Sequence, residues 1–413
     1  MKTYHIITIG CQMNESDSER IAGALEKQGY KKSEDKYSAD LAVINTCGVR
    51  QSAEDRIYGL IPGIKKANPK TKIMLTGCLA CRKDVRRRLK KHVDLWMTIG
   101  QITNSKGADY FKAKPKYESE FSAFAPIGNG CNNFCSYCVV PYARGREVWR
   151  PAKDALAEVK SLVKKNYKEI VFIAQNVNSY KDGKTDFADL LKMANNVKGE
   201  FWIRFYTSHP KDMSAKLIKT ISECEKVCRH IHLPAQSGDD AVLKRMNRKY
   251  THDDYVKLVG KIRKQLNRDI SRLPVSITTD IIVGFPGETK KQFGNTAKLM
   301  KKIKFDMAYI SQYSPRPGTA AMKMADNVSK PEKKRREEEL NKILKRAVSG
   351  NNKKYAGKTV KVLAEGKGKN NNWIGRTETA KKVKFFAADG KKDLTGKFVD
   401  VKINKVMDFG LEG

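Results

Sequence analysis

The sequence predicts an α/β protein in three parts: an N-terminal parallel sheet, a central partial βα barrel and a small C-terminal antiparallel β-barrel. Three observations carry this reading. Short apolar runs alternate with helical patterns over the first ~115 residues, as parallel strands joined by crossover helices require. Six more strand-and-helix units follow from about Phe124, the pattern of an open barrel of parallel strands. Near the end the hydrophobic period changes to two, with glycine-containing turns. Boundaries are expected at 1–117, 118–347 and 348–413.

In the first part, Tyr4 to Ile9 reads as a strand, Ser16 to Gln28 as a helix stopped by Gly29, and Leu41 to Ile44 and Ile73 to Leu75 as further strands. Cys11, Cys47 and Cys78 each come shortly after one of these strands, in YHIITIGC, DLAVINTC and KIMLTGC. Loops after parallel strands leave the same sheet edge, so the three thiols can meet. The barrel strands are AFAPIG, EIVFIAQN, FWIRFYT, HIHLPAQ, VSITTDIIVGF and MAYISQYS, with helices such as Asp154 to Lys165 and Thr251 to Gln265 between them. Their C-terminal ends form the expected working face. The run SKPEKKRREEELNKILKRAVSGNNKKY reads as a solvated helix leading out of the barrel. KTVKVLAEGK, WIGRTETAKKVKFFAADG and KFVDVKINKVM then supply the closing barrel.

Composition narrows the function. Lys and Arg number 82 against 45 Asp and Glu, a net charge of +37, which favours a polyanionic partner such as nucleic acid. No stretch has the 18 or more uninterrupted apolar residues of a membrane span, and the N-terminus lacks the apolar run of a signal peptide, so a cytoplasmic protein is expected. In that compartment the nine cysteines are expected as metal ligands or structural thiols. From Ala356 onward thirteen Lys or Arg stand against seven Asp or Glu, interleaved with Trp373, Phe385 and Phe386, a composition suited to single-stranded RNA. On a strand, one of the adjacent Phe385 and Phe386 must face the core and the other is free. The terminal barrel is accordingly expected to be separable: cutting before about Asn351 should weaken RNA binding and spare the chemistry.

Cys131, Cys135 and Cys138, in GCNNFCSYCVVPYARG, form a CxxxCxxC triplet after the first barrel strand. Three thiolates hold three irons of a cubane cluster and leave the fourth open; a zinc site would want a fourth Cys or His, and none is nearby. Tyr137, between the last two cysteines, would shield such a cluster. Cys11, Cys47 and Cys78 make a second triplet, also one ligand short, with three buried structural thiols as the alternative. Cys81 reads as a bystander, because a fourth ligand would close the open iron. Cys224, Cys228, His230 and His232 read as buried thiols and ordinary histidines, since a helix and a following strand seldom aim four side chains at one point. Gly284, Pro286 and Gly287 read as a tight loop.

The CxxxCxxC arrangement resembles the radical SAM superfamily, whose open iron binds S-adenosylmethionine. The resemblance extends along the whole chain. GCQMNESDSER, NTCGVRQSAEDR and TGCLACR look like the N-terminal motifs of the methylthiotransferases, and YCVVPYARGRE, AQNVNSY, HLPAQSG, RMNRKYT, TDIIVGFPGET and YSPRPGTAA look like the barrel of the tRNA 2-methylthioadenosine synthase branch. The closing barrel resembles a TRAM domain, a small RNA-binding module. Ala174, Trp149 and TSHP at Thr207 to Pro210 depart from the family pattern.

The resemblance implies two 4Fe-4S clusters, on Cys11, Cys47 and Cys78 and on Cys131, Cys135 and Cys138, which are the expected catalytic and metal-binding residues. It implies S-adenosylmethionine near Gln175, Asn176, Ser237, Glu288 and Arg316. It also implies a tRNA anticodon stem-loop as substrate, an electron donor such as a flavodoxin or ferredoxin, and a monomer. One S-adenosylmethionine would methylate a sulfur at the auxiliary cluster, and a second would be cleaved to a radical that activates C2 of isopentenyladenosine. Such a carbon is neither acidic nor electrophilic, so side chains alone cannot replace its hydrogen by sulfur. Other readings are a methylthiotransferase for threonylcarbamoyladenosine or a ribosomal protein, and a non-catalytic iron-sulfur RNA-binding redox sensor.

Overall fold

The computed structural model describes residues 1–49, 51–104, 107–387 and 393–413. Strands β1 (Thr3–Ile9), β2 (Lys31–Lys32), β3 (Leu41–Thr46), β4 (Lys72–Gly77) and β5 (Leu95–Trp96) form one parallel sheet in the order β2-β1-β3-β4-β5. The central β3 is buried on both faces, which is why its sequence runs apolar without alternation. Leu41 and Val43 face Ile21 and Leu25 of the helix Gln12–Lys27, while Ala42 and Ile44 face Ile57, Ile61 and Ile64 of the helix Gln51–Ala67.

The barrel begins at β6 (Ser122–Pro126), followed by a hairpin of β7 (Gly128–Asn129) and β8 (Val148–Trp149). Strand β9 (Glu169–Ile173) pairs in parallel with β6 and with β12 (Trp202–Phe205), past a small hairpin of β10 (Lys181–Asp182) and β11 (Thr185–Asp186). A bridge from Ile203 to Val227 leads on to β13 (His230–His232), β14 (Ser276–Val283) and β15 (Met307–Gln312). Six parallel strands thus make the open barrel, with Ile170, Phe172, Ile203, Ile231 and Ile277 among the residues of its outer core. Trp149 stacks edge-on to Tyr180 at 5.5 Å and covers Gly128, whose missing Cβ would also stand 3.3 Å from Ala174 Cβ. Two of the three departures from the family pattern therefore both border Gly128.

The helix Lys330–Asn352 corrects the expectation of a solvated segment. Leu340, Leu344 and Val348, four residues apart, are buried in the barrel core, and even Lys333 and Arg336 are buried, against Asp326 and Glu288. The rest of the helix is dominated by charged residues, which hides the short stripe of Leu340, Ile343, Leu344 and Val348.

The last six strands are β16 (Thr359–Lys367), β17 (Trp373–Thr377), β18 (Lys382–Phe385), β19 (Phe398–Lys402), β20 (Lys405–Met407) and β21 (Gly410–Glu412), in the order β19-β16-β17-β18-β21-β20. All pairs are antiparallel except β18 with β21. Phe385 fills the core of this curled sheet and Phe386 is exposed; Trp373, expected as a possible base-stacking residue, is buried in the core as well. Residues 388–390, the end of the expected FFAADG segment, lie outside the described residues.

This unit is not a free appendage. The turn Thr377–Lys381 closes the N-terminal end of the central barrel: the fully buried Arg204 donates to Glu169 at 2.8 Å and to the carbonyls of Thr377 and Glu378 at 3.2 and 3.3 Å. Lys381 pairs with Asp306 at 2.8 Å, and Trp202 packs on Phe398 at 4.7 Å. Without the turn, Arg204 would be a buried cation short of acceptors, which runs against the expectation that the terminal barrel can be removed without harm.

Candidate active site

Strand register assembles the first trio. Ile9, Thr46 and Gly77 lie opposite one another across β1, β3 and β4, so the loops carrying Cys11, Cys47 and Cys78 leave the sheet at one level. At Gly77, φ is +84° and a Cβ would collide with Thr46 O; a Cβ on Gly48 would stand 3.1 Å from Cys78 Cβ. Cys11 caps the helix Gln12–Lys27, where the amide dipoles favour a thiolate, and its sulfur lies 3.4 Å from Asn14 Oδ1. The Val49 N–H donates to Cys47 Sγ at 3.3 Å. Burial raises the Cys11 thiol and Arg144 pulls it back down.

The β7–β8 hairpin closes the loop that carries the second trio. Ser136 N and Oγ donate to the Met246 and Arg245 carbonyls at 3.1 and 2.8 Å, and Asn247 Nδ2 donates to Phe134 O at 2.9 Å. Arg248 Nη1 donates to Cys135 Sγ at 3.4 Å while its Nη2 is held by Pro234 O at 3.0 Å. Tyr137 packs edge-on against Phe285 at 6.4 Å, beside Val242 and Met246, and so covers the loop with apolar surface. Burial pushes the Cys131 and Cys138 thiols up, so iron must displace protons from them on binding.

Arg144 ties the segment that follows the second trio to the N-terminal domain. It donates to Asp17 Oδ2 at 2.6 Å and to Asn129 Oδ1 at 3.2 Å, and Asp17 accepts a further bond from Tyr110 at 2.7 Å. Burial acts to lower the Arg144 pKa, but Asp17, then Cys78 and Cys11, hold it well above its ordinary value. Cys78 also adds, after burial and its own loop partners, to the rise at Cys138. Met13 seats the auxiliary helix on the barrel against Val171 and Ile173. Neither Arg144 nor Arg248 was singled out from sequence, although PYARG and RMNRKYT contain them.

Both trios are all-thiol sets without a disulfide, and thiolates are the donors that hold iron-sulfur clusters. Among the described residues no three His, Cys, Asp or Glu side chains converge closely enough to hold a single metal ion. Polar atoms without protein partners collect after the barrel strands: Gln175 Oε1, Asn176 Oδ1, Ser208 Oγ, Gln236 Oε1 and Glu288 Oε1. Such a ring suits a polar cofactor laid over the strand ends.

The remaining expected residues are placed as follows. Asn176 donates to Asp212 at 2.7 Å and keeps its oxygen unfilled. Ser237 turns to Thr296 at 3.3 Å. Glu288 accepts from Gly284 N at 2.7 Å and from Arg336 at 2.6 Å. Arg316 reaches into the N-terminal domain, donating to Gln51 at 2.7 Å and Val49 O at 3.0 Å, so it steadies the Cys47 loop. Cys81 is exposed beside Cys78. Cys224 and Cys228 are buried thiols, and His230 and His232 share Thr278 Oγ1 at 2.9 and 3.0 Å. TSHP is knitted to the preceding strand end, with Thr207 donating to Ala174 O at 2.6 Å and His209 N to Asn178 at 2.8 Å.

An open barrel of parallel strands with a CxxxCxxC loop after its first strand is the form of a radical SAM protein, and the chain matches the Radical SAM superfamily over residues 125–300. It also matches the Uncharacterized protein family UPF0004 over 3–98 and the TRAM domain over 353–413. It belongs to the family of the tRNA-2-methylthio-N(6)-dimethylallyladenosine synthases. The protein of that name from Clostridium tetani is 43% identical over 100% of this chain and 96% of its own length, and that from Syntrophomonas wolfei is 43% identical over 99% and 97%. Among solved structures, the radical S-adenosylmethionine methyltransferase TsrM from Kitasatospora setae has a similar fold, with TM-score 0.52 at 14% identity over 78% of this chain and 77% of that one. The cobalamin-dependent enzyme OxsB gives 0.54 at 8% identity, over 84% and 56%.

Proposed function

We propose that this chain converts N6-isopentenyladenosine next to the anticodon of tRNA to its 2-methylthio derivative. The observation that carries the reading is that Arg144, six residues after the second trio, is ion-paired at 2.6 Å to Asp17 in the domain that carries the first, while Cys78 and Val139 line one cavity. Cys131, Cys135 and Cys138 hold one four-iron cluster and Cys11, Cys47 and Cys78 a second, with Gln175, Asn176 and Glu288 offering polar atoms to S-adenosylmethionine. The clusters and S-adenosylmethionine, when bound, supply the radical chemistry that exchanges C2–H for sulfur. The protein's residues do the rest: Arg248 and Arg144 place positive charge beside the thiolates, Tyr137 and Phe285 exclude water, and Arg316 and Met13 fix the auxiliary domain over the barrel.

The working unit is a cytoplasmic monomer divided at 1–117, 118–347 and 348–413, supplied with electrons by a flavodoxin or ferredoxin. No helix among the described residues is long and apolar enough to cross a membrane. The test is anaerobic reconstitution, with iron and sulfide analysis of the wild type, Cys131→Ala and Cys11→Ala, followed by incubation with reductant, sulfide and S-adenosylmethionine. Two clusters, one lost in each variant, and methylthio product on isopentenylated tRNA are expected. Product on a ribosomal protein, or only on adenosine lacking the isopentenyl group, would refute the assignment.

A further inference from the structure

A cavity of about 600 Å³ opens between the N-terminal domain and the barrel. It is lined by the buried Cys78, by the exposed Tyr142, and by Arg82, Lys83, Asp84 and Arg87. These charges are not equivalent. Arg82 is neutralised by Glu54 at 2.6 Å and by Asp84. Arg86 and Arg88, on the same short helix, lie over Trp96 and Tyr58 at 5.3 and 3.6 Å from the ring centres. Lys83 and Arg87 have no ion-pair partner among the described residues. Tyr142 is 60% exposed and makes a T-shaped contact with Phe134 at 6.1 Å.

On a chain with a charge of +37, unpaired cations are common. Position distinguishes these two. Both are exposed and line a cavity that also takes in a buried thiol of the auxiliary trio, and an exposed aromatic ring lines it too. Cations spaced about an aromatic face are how proteins hold an unstacked nucleotide: phosphates pair with the cations and the base stacks on the ring. Resting on the function proposed above, we infer that this cavity is the mouth through which the target nucleotide reaches the auxiliary trio. Tyr142 stacks on a base of the anticodon loop, and Lys83 and Arg87 hold the phosphates beside it. The N-terminal domain is thus an RNA-binding surface in its own right, at the opposite end of the barrel from the turn Thr377–Lys381.

The test uses the full-length, anaerobically reconstituted protein and an anticodon stem-loop RNA bearing N6-isopentenyladenosine, with Kd measured over a range of KCl. Each phosphate contact to a single strand contributes about 0.7 to the slope of log K against log salt, so the double variant Lys83→Ala, Arg87→Ala should flatten it by about 1.4. Tyr142→Ala should weaken binding about tenfold at every salt concentration without changing the slope, and Tyr142→Phe should restore it. The control pair Lys301→Ala, Lys302→Ala, exposed on the helix Lys290–Ile303, should leave the slope as it is. Iron content reports folding, and if the alanine pair loses iron, Lys83→Gln with Arg87→Gln is read instead. An unchanged slope with iron intact, or a Tyr142→Ala variant that binds like wild type, overturns the inference. So does normal RNA binding with loss of flavodoxin-driven but not dithionite-driven turnover, which would give the face to an acidic protein. Wild-type protein that neither binds nor modifies the RNA would instead remove the functional reading beneath it.

Discussion

Arg248 donates a hydrogen bond to the Cys135 thiol at 3.4 Å, and that geometry leads to a direct expectation. Arg248→Met should move the midpoint potential of the Cys131, Cys135 and Cys138 cluster to more negative values and slow cleavage of S-adenosylmethionine by roughly 10- to 100-fold, with the auxiliary cluster unchanged; Arg248→Lys should recover part of both. Redox titration followed by electron paramagnetic resonance separates the two clusters. Glu19 offers a second case. It is buried beside Glu118, whose N–H it accepts at 3.2 Å, and burial pushes its pKa up to about 7 from 4.5. The folded state therefore keeps a proton that the unfolded state releases, and stability falls as pH rises from about 4.5 to 7, then levels off. Glu19→Gln should raise stability at pH 8 by on the order of 2–3 kcal/mol and change little at pH 4, read as melting temperature across pH. Cys131, Cys135 and Cys138 stand out in the sequence by their CxxxCxxC spacing, and Cys11, Cys47 and Cys78 by their places just after strands. Arg144, Arg248 and Glu19 were not, because their roles arise from partners more than a hundred residues away or from burial that no local pattern reports.

At the scale of elements, a glycine and a helix make the contrast. Gly77→Ala places a Cβ against Thr46 O at a φ of +84°, so the Cys78 loop must shift; iron analysis should show the auxiliary cluster lost and the radical cluster kept. In the helix Lys330–Asn352, Leu344→Ala should cost about 2–5 kcal/mol by chemical denaturation, whereas the exposed Lys342→Ala should change stability by less than about 0.5 kcal/mol. The parallel strands were legible from continuous apolar runs such as LAVINT. This helix was misread as solvated because Leu340, Leu344 and Val348 are scattered among charges whose average dominates a window.

At the scale of the molecule, the three-part division could be read from the change in hydrophobic period, but not how the parts are fastened. Arg204, Asp306 and Trp202 depend on the terminal barrel for partners. Deleting residues 353–413 should consequently lower the stability of the whole protein and its retention of iron, rather than weaken RNA binding alone; a shortened protein with wild-type melting and iron content would show the fastening to be dispensable. The shared level of Ile9, Thr46 and Gly77 has a consequence for how such chains can diverge. Adding a residue between the paired part of a strand and its cysteine would carry that thiol away from the level it shares with the others, while residues added at the far edge of the sheet, in the turns entering β1, β3 or β4, leave all three thiols where they are. Length variation in relatives of this domain should therefore fall at one edge of the sheet, and the count from strand to cysteine should behave as a fixed spacing.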